Sequence, residues 1–327
     1  MTDLTGLQAA AFTGGTYVVV SSFNLTGSLT LNGTNTSLTL LGDTTACGGL
    51  CILDANRAGG HFVVSMNYTL TVDSIAFVNS VRGGKAERCL GEVVRTPNDP
   101  LIPGAPGTGD ALTISRNCAS GSMRYKQHLN DLPCGFLRCS SIIVAANASL
   151  FVNNSLFRDN SGYAGQFGAL GAAISIVATA ERGFSIENTQ FINNAVRDGF
   201  GGSWGNSGGA ISVDQPFSGA MVYPAVFGRT PDDPYYLYPR KNQAFNVIAL
   251  MQIVNCTFTN NQAARGGALF LALSTGTLNI TNSSFNGNVA LGTQNWLSAL
   301  GGAIYVHMFS NSRPFRVSAA RAAPAMP

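Results

Sequence analysis

At 327 residues the chain is long enough for one large domain. Charged residues make up only 11% of it and the formal net charge is +3, which is too small and too scattered to indicate nucleic-acid binding. Glycine is abundant and no run of 18 apolar residues occurs, so we expect a turn-rich β structure without a membrane-spanning helix. The first residues do not read as a secretory signal, and we expect the sequence to be a fragment of a longer protein.

Residues 1–80 are predicted to form the N-terminal coils of a stacked β structure. Apolar and polar residues alternate in Leu29–Leu31 and Leu38–Leu40, which is typical of short strands with one buried face. Further short apolar segments, each with turn residues, are Tyr17–Val20, Cys51–Asp54, His61–Val64, Leu70–Val72 and Ile75–Ser80.

Residues 81–141 interrupt this pattern with a segment rich in Cys, Pro and Gly. The hexamer Arg95–Pro100 begins a run of Pro and Gly that continues to Gly109. The segment is too long for a turn between stacked strands, and insertions into repeats go to loops, often on the binding face. We therefore predict a loop excursion, with Arg95 as a candidate contact for a partner protein or a glycan.

The cysteines allow two interpretations. The chain contains seven, namely Cys47, Cys51, Cys89, Cys118, Cys134, Cys139 and Cys256. Zinc knuckles are disfavoured because the spacings are irregular and only three histidines are present. Disulfides that pin long loops are favoured, and they imply an oxidising compartment. Cys256 is interpreted as a small buried hydrophobic residue.

From residue 142 onward, two short words recur in a fixed order. One is Phe-x-x-Asn, and the other is Gly-Gly-Ala followed by an aliphatic residue. The residues predicted to carry this structural repeat are Phe157, Asn160, Phe191, Asn194, Gly208, Gly209, Phe258, Asn261, Gly266, Gly267, Phe285, Asn288, Gly301 and Gly302. Degraded copies are Phe77–Ser80, Val81–Gly84 and Gly171–Ile174.

Each word has a physical reason. The Phe enters a core from a short strand, the Asn tolerates a left-handed corner and can form ladders, and the Gly pair permits the next corner. One unit cannot bury its own apolar face, so units must stack at about 4.8 Å per coil. We predict an all-β fold, a right-handed single-stranded parallel β-helix (a solenoid) with two long loop excursions. An antiparallel sandwich is disfavoured because sandwiches do not repeat two words in fixed order.

Residues 214–246 are predicted to be the second excursion, rich in Tyr and Pro. Its hexamer Arg229–Pro234 differs from Arg95–Pro100 at one position. Aromatic rings and Arg anchor partners, so the candidate contacts for a partner or a glycan are Arg229, Tyr235, Tyr236 and Tyr238. The alternative, weighed equally, is that the tyrosines cover the apolar wall. Both excursions follow a Gly-Gly word and its strand. This predicts that they lie on the same side of the β-helix and form the two sides of a shallow groove.

Regular coils are predicted for residues 142–213 and 247–311. Residues 312–327, rich in Ala, Arg and Pro, are predicted to be a disordered tail. The words resemble the repeat of the chlamydial polymorphic outer-membrane proteins, which is also found in secreted right-handed β-helix proteins of other bacteria and of green algae. The resemblance covers residues 150–306 and implies a β-helix on the outside of a cell, often in adhesion or a surface coat. It does not extend to the membrane barrel with which autotransporter members of that family end.

Catalysis is disfavoured, although β-helices host pectate lyases and polygalacturonases. Hydrolysis of polysaccharides needs two carboxyl groups facing a cleft, and the acidic residues on predicted strands are few. They are Asp54, Asp73, Glu187 and Asp214, and the adjacent pair Asp232–Asp233 lies between prolines. We expect a non-catalytic adhesion, wall or coat module without a cofactor or metal. The alternative is a polysaccharide lyase or hydrolase with the same fold.

The expected partners are surface glycans or proteins and, end to end, further β-helix repeats. Nine Asn-x-Ser/Thr sequons are candidate glycosylation sites if the source is eukaryotic and secretory. They begin at Asn24, Asn32, Asn35, Asn67, Asn147, Asn153, Asn255, Asn279 and Asn282. The alternative is that Asn followed by Thr or Ser simply suits turns and strand starts.

Overall fold

A computed structural model of the protein describes residues 4–32, 37–65, 67–80, 93–97, 110–114, 140–144, 148–164, 171–177, 183–198, 208–214, 250–273, 277–291, 301–308 and 316–320. These residues form two helices, four parallel sheets and one antiparallel strand pair. The helices are α1 (Leu4–Thr13) and α2 (Thr44–Cys47), and the antiparallel pair is β9 (Val93–Pro97) with β10 (Asp110–Ile114).

The four parallel sheets contain all the other described strands. Sheet A contains β1 (Gly15–Val19), β4 (Ser37–Gly42), β7 (Thr69–Asp73), β12 (Ser149–Asn153), β16 (Phe184–Glu187), β20 (Leu250–Val254), β24 (Thr277–Thr281) and β28 (Arg316–Ala320). Sheet B contains β2 (Phe23–Asn24), β5 (Cys51–Asp54), β8 (Ile75–Val78), β13 (Leu156–Arg158), β17 (Gln190–Ile192), β21 (Thr257–Thr259) and β25 (Ser284–Asn286). Sheet C contains β3 (Leu29–Leu31), β6 (Phe62–Val64), β11 (Ile142–Val144), β15 (Ile174–Val177), β19 (Ile211–Asp214), β23 (Leu269–Leu273) and β27 (Ile304–Met308). Sheet D contains β14 (Ser161–Ala164), β18 (Ala195–Asp198), β22 (Gln262–Ala263) and β26 (Val289–Ala290).

The strand order makes the architecture that of a parallel β-helix. Within each sheet the strands follow one another in chain order, and each pairs in parallel with its equivalent one coil earlier and one coil later. One coil therefore runs from sheet C to sheet A to sheet B, and from β13 onward also through sheet D. The prediction of an all-β fold built from parallel sheets is confirmed, and the antiparallel sandwich is excluded. The right-handed winding of the β-helix stays a prediction.

The Phe words form a column of stacked rings inside sheet B. The register aligns Phe77, Phe157, Phe191, Phe258 and Phe285 in successive coils. Neighbouring ring centroids are 4.7–5.0 Å apart, and the rings of the last two pairs are within 3° of parallel. The first four rings are completely buried, and Phe285 packs partly buried against the same core. The ring spacing equals the strand spacing, so the column runs without interruption through five coils.

The Asn that ends each word forms a second column. Asn194 Nδ2 donates to Asn261 Oδ1 (3.0 Å) and to the carbonyl oxygen of Phe157 (3.0 Å). Its Oδ1 accepts from Asn160 Nδ2 (2.9 Å) and from the Asn160 backbone N–H (3.2 Å). Asn261 repeats the pattern with Asn288. All four hydrogen-bonding positions of a buried amide are therefore used, which removes the cost of burying it.

The corners between sheets are set by single residues in left-handed backbone. Between sheets A and B the corner residues are Ser74, Asn154, Asn188, Asn255 and Asn282. Between sheets B and D they are Asp159, Asn193, Asn260 and Gly287. Before sheet C, Gly266 has φ +57°, and a Cβ there would collide with the carbonyl oxygen of Leu269. Gly208 and Gly301 repeat that corner in the neighbouring coils.

The two ends of the described chain differ from the sequence prediction. Helix α1 was not predicted, because its residues are almost uncharged and carry only a weak apolar stripe. It packs with Leu7 and Ala11 buried against the first coil. At the other end, β28 pairs with β24 in sheet A, so residues 316–320 are not part of a disordered tail. The tail prediction failed there because a short Ala-rich strand is recognisable only by its pairing partner.

The prediction that both excursions leave the coil at the same position, after a sheet C strand, is wrong. The first lies between β8 in sheet B and β11 in sheet C, whereas the second lies between β19 in sheet C and β20 in sheet A. They therefore join opposite ends of sheet C strands, and only β15 separates β11 from β19. The degraded word Val81–Gly84, on which the prediction depended, lies outside the described residues. The groove hypothesis, which required one side, is abandoned.

Candidate functional site

The outward surface of sheet A brings polar and aromatic side chains together at the middle coils. One outward column contains Thr71, Phe151 and Ser185, and the next column, two residues along, contains Asp73, Asn153 and Glu187. We call these six residues the sheet A face. It is a flat surface, because parallel strands about 4.8 Å apart hold both columns in register.

Phe151 is the exposed aromatic residue of this face. It follows the buried Leu150 in β12, and 43% of its surface is accessible. Its neighbours in the column, Thr71 and Ser185, are small and polar, so they leave the ring uncovered. Sequence reasoning did not single out Phe151. The signal was present as a Phe at the outward position of the alternating strand Ser149–Asn153.

The carboxylates of the face are held by neighbouring side chains. Asp73 Oδ1 accepts from Ser74 Oγ (3.1 Å) and from Asn154 Nδ2 (3.1 Å). Glu187 Oε1 accepts from Ser185 Oγ (2.7 Å). Asn153 stands between the two acids in the column, which places their Cα atoms about 10 Å apart. The sequence named both acids as strand residues but did not reveal that they share one face.

A ladder of exposed amides borders the face at the A–B corner. Asn188 Nδ2 donates to Asn153 Oδ1 (2.9 Å), and Asn255 Nδ2 donates to Asn188 Oδ1 (2.6 Å). The amide nitrogen of Asn255, which a glycan would modify, is therefore engaged in the ladder. Asn153 and Asn279 are half-buried on sheet A.

The other sequons divide by exposure. Asn24, Asn32, Asn67 and Asn282 are exposed. Asn35 and Asn147 lie outside the described residues. A glycan needs an accessible amide nitrogen, so the geometry favours the four exposed positions over those of the ladder.

The described cysteines form one disulfide and one buried thiol. Cys47, the last residue of α2, is bonded to Cys51 at the start of β5, and Asp43 caps α2 by accepting from the N–H groups of Thr45 and Ala46. A disulfide is confirmed here, but it closes a short turn rather than pinning a long loop. Cys256 is free and completely buried, as predicted, and burial raises the pKa of its thiol to about 11. Cys89, Cys118, Cys134 and Cys139 lie outside the described residues.

His61 takes over the hydrogen bond of a ladder Asn at the N-terminal coils. Ser80 stands where later coils carry the ladder Asn, and it cannot reach down to the carbonyl of Leu53 as an Asn would. His61 Nε2–H donates to that carbonyl instead (2.8 Å), and His61 Nδ1 accepts from Ser141 Oγ–H (2.7 Å). Complete burial lowers the pKa of His61 to about 4, although the Leu53 carbonyl and Asp54 oppose the shift. The ring is therefore neutral near pH 7, and its role is structural.

The other predicted contacts are not placed by the structure. The backbone of Arg95 lies in β9, paired opposite Leu112 of β10. Arg229, Tyr235, Tyr236 and Tyr238 lie outside the described residues. Within the described ranges, no three His, Cys, Asp or Glu side chains come together in a way that would hold a metal ion. Neither helix in the described part of the chain has the length and apolar character of a membrane span.

Comparison with known proteins gives one match. Residues 255–272 and 282–307 match the family model of the Chlamydia polymorphic membrane protein repeat. No curated protein and no solved structure matches the chain. The two matched segments contain the Phe words of β21 and β25 and the Gly words before β23 and β27. The resemblance carried by these words is therefore confirmed for residues 255–272 and 282–307, which are similar to the Chlamydia polymorphic membrane protein repeat.

Proposed function

We propose that the chain is a non-catalytic, extracellular or cell-surface β-helix module that supports adhesion, wall or coat structure. The observation that carries the proposal is the continuous interior of stacked Phe rings and Asn amides, which makes a rigid support for outward surfaces. The matched repeat belongs by name to membrane proteins, which favours a cell surface. The Cys47–Cys51 disulfide favours an oxidising compartment.

The sheet A face is the proposed contact surface for a glycan or protein partner. Exposed aromatic rings stack on sugars and anchor protein partners, and Phe151 is flanked by hydroxyl, amide and carboxylate groups that can hydrogen-bond. The tyrosine-rich excursion stays a second, sequence-based proposal for the same role. Joint replacement of Tyr235, Tyr236 and Tyr238 by Ser tests it, with loss of binding at an unchanged melting temperature as the expected result.

The test of the face compares two substitutions of exposed apolar residues. Phe151→Ser removes the ring of the sheet A face, whereas Ile52→Ser removes an exposed side chain of sheet B as a matched control. Both proteins are applied to glycan arrays and to cells. We expect Phe151→Ser to lose binding while Ile52→Ser retains it. Equal binding by both variants would exclude the sheet A face as the contact surface.

A polysaccharide hydrolase is the second candidate, favoured by the placement of Asp73 and Glu187 in one column. Inverting hydrolases hold their two carboxyl groups roughly 6.5–9.5 Å apart, close to the spacing that two strands impose. Against this, both carboxylates are bonded to neighbouring side chains on a flat surface rather than facing a cleft. Incubation with polygalacturonate, alginate and neutral polymers tests it. Release of product that Glu187→Gln abolishes would overturn the non-catalytic proposal.

A further inference from the structure

We infer that the partner of the sheet A face is a linear β-1,4-linked glycan that offers hydroxyl or amine donors and carries no carboxylates. This rests on the proposed function, in which the face contacts a partner, and it names the chemical class of that partner. The charge of the surface, its polar groups and the spacing of its two acids carry the inference.

The face has a negative charge that no neighbouring cation compensates. Both outward columns of sheet A continue in register beyond the face, from β1 to β24, and every side chain that they add is uncharged. Neither Asp73 nor Glu187 has an ion-pair partner among the described residues. An acidic glycan would bring like charges together without the Arg or Lys side chains that recognise carboxylates, so this class of glycan is disfavoured.

Both acids are fixed through one oxygen and leave the other available to a ligand. Asp73 accepts through Oδ1 and Glu187 accepts through Oε1, in each case from uncharged side chains. The second carboxylate oxygen of each residue accepts no hydrogen bond from the described part of the chain. A carboxylate that is held in place and has a free oxygen can accept from hydroxyl or amine groups of a sugar.

The ring of Phe151 lies between the two acids along the helix axis, in the neighbouring column. It belongs to β12, which separates β7 from β16, and 43% of its surface is accessible. An exposed ring can stack on the apolar face of a pyranose. The other five side chains of the face are polar, whereas the centre of a protein interface is depleted in charged residues, so a glycan suits this surface better than a protein.

The spacing of the acids indicates the linkage. The Cα atoms of Asp73 and Glu187 are two strand spacings apart, or about 10 Å. In an extended β-1,4-linked chain successive sugars are turned over, so every second sugar presents the same groups to the same side, and this repeat is close to two strand spacings. The two acids therefore contact equivalent groups of alternate sugars, and Phe151 lies beneath the sugar between them. An α-1,4-linked chain curves and does not keep this repeat along a flat surface.

The experiment uses the full chain and four labelled hexasaccharides. They are the β-1,4-linked glucan, the same glucan oxidised to a uronate at its C6 positions, the β-1,4-linked glucosamine oligomer and the α-1,4-linked glucan. Fluorescence anisotropy measures the dissociation constants. We expect saturable binding of the glucan or of the glucosamine oligomer, lost in Phe151→Ser, and binding of the uronate and of the α-linked glucan that is weaker by about tenfold or more. The comparison of glucan with glucosamine shows whether hydroxyl or amine donors are preferred.

Removal of the two charges tests the origin of this discrimination. The double variant Asp73→Asn, Glu187→Gln keeps the shape of both side chains, and its preference for the glucan over the uronate should fall several-fold, because the repulsion is gone. The control is Asp159→Asn, which removes an exposed carboxylate at a B–D corner where the equivalent residues Asn193 and Asn260 are already Asn. The control should keep the preference of the unsubstituted chain.

Equal binding of glucan and uronate, equal binding of the two linkages, or a preference that the double variant leaves unchanged would overturn the inference. If Phe151→Ser still abolishes binding in those cases, the proposed contact surface remains. Failure of all four hexasaccharides to bind would also overturn the inference, and the comparison of Phe151→Ser with Ile52→Ser then decides separately whether the sheet A face is a contact surface.

Discussion

The ring centroids of Phe258 and Phe285 lie 4.7 Å apart and the two rings are within 3° of parallel, yet among the described residues only Phe258 of the two has a ring on both of its faces. The same residue in the same word therefore has two environments. Phe258 is completely buried between two coils, whereas Phe285 is partly buried, with the ring of Phe258 on one face. A comparison of the two residues therefore separates the stability that a ring gains from stacking on two neighbours from the stability that it gains from stacking on one.

Phe258→Ala is expected to lower the free energy of unfolding by about 3–5 kcal/mol, because it removes a buried ring and leaves a cavity in the column. Phe285→Ala should cost less, since its ring is only partly buried. Urea denaturation followed by circular dichroism measures both. Equal losses of unfolding free energy in the two variants would show that stacking against a second coil adds no stability.

Asn194→Ala is expected to destabilise the protein by about 2–5 kcal/mol, because the N–H of Asn160 and the carbonyl of Phe157 lose their partners inside the core. The matched control is Asn288→Ala at the half-buried end of the ladder, where water can replace the lost amide. Its cost should be clearly smaller. Thermal unfolding of both variants measures the two destabilisations. A larger destabilisation by Asn288→Ala than by Asn194→Ala would contradict the role of the ladder.

His61 makes the stability depend on pH in a defined window. Above pH 6.5 neither the folded nor the unfolded state binds a proton at this residue. Between pH 6.5 and about 4 the unfolded state binds one and the folded state does not, so stability falls as the pH is lowered, by about 3 kcal/mol in total. Below about pH 4 both states bind the proton and this loss stops.

The control for His61 is His61→Gln, whose amide can replace the donor to the Leu53 carbonyl without titrating. Its unfolding free energy should lack the His61 component of the acid slope. The measurement is urea denaturation of both proteins at intervals between pH 4 and 7. Identical slopes for the two proteins would refute the assignment of a low pKa to His61.

The two kinds of described cysteine should respond differently to reagents. Removal of the Cys47–Cys51 disulfide by double substitution with Ser is expected to cost about 2 kcal/mol in the loop-entropy model, because the loop is short. Cys256 should resist alkylation in the native protein at pH 8 and react after unfolding, since burial and a raised pKa both suppress the thiolate. Peptide-level mass spectrometry locates the modified residue.

The repeat words predicted the interior because they specify local geometry and stacking at once. A ladder Asn and a Phe placed three residues after the A–B corner residue can satisfy their neighbours only as columns. The left-handed backbone itself lies at the residue before the ladder Asn, and not at that Asn as predicted. The equivalence of Phe77 with Phe157 was recognisable from a degraded word for the same reason.

The outward surface was less predictable, because it depends on register across coils of unequal length. Asp73 and Glu187 are 114 positions apart in sequence, and only the pairing of β7 and β16 with β12 brings them into one column. The placement of the excursions failed similarly. A doubtful Gly word does not reveal which sheet a chain has just left.

The tight corners have a consequence for how this fold can change in length. From β12 onward, two residues join sheet A to sheet B, and two join sheet B to sheet D. Connections of varying length occur at the two ends of sheet C, including the excursion before β20. Insertions there alter the outline of one coil and leave the spacing between coils untouched. The sequence can therefore diversify at these positions without loss of the Phe and Asn columns, while a single added residue at an A–B corner would interrupt both.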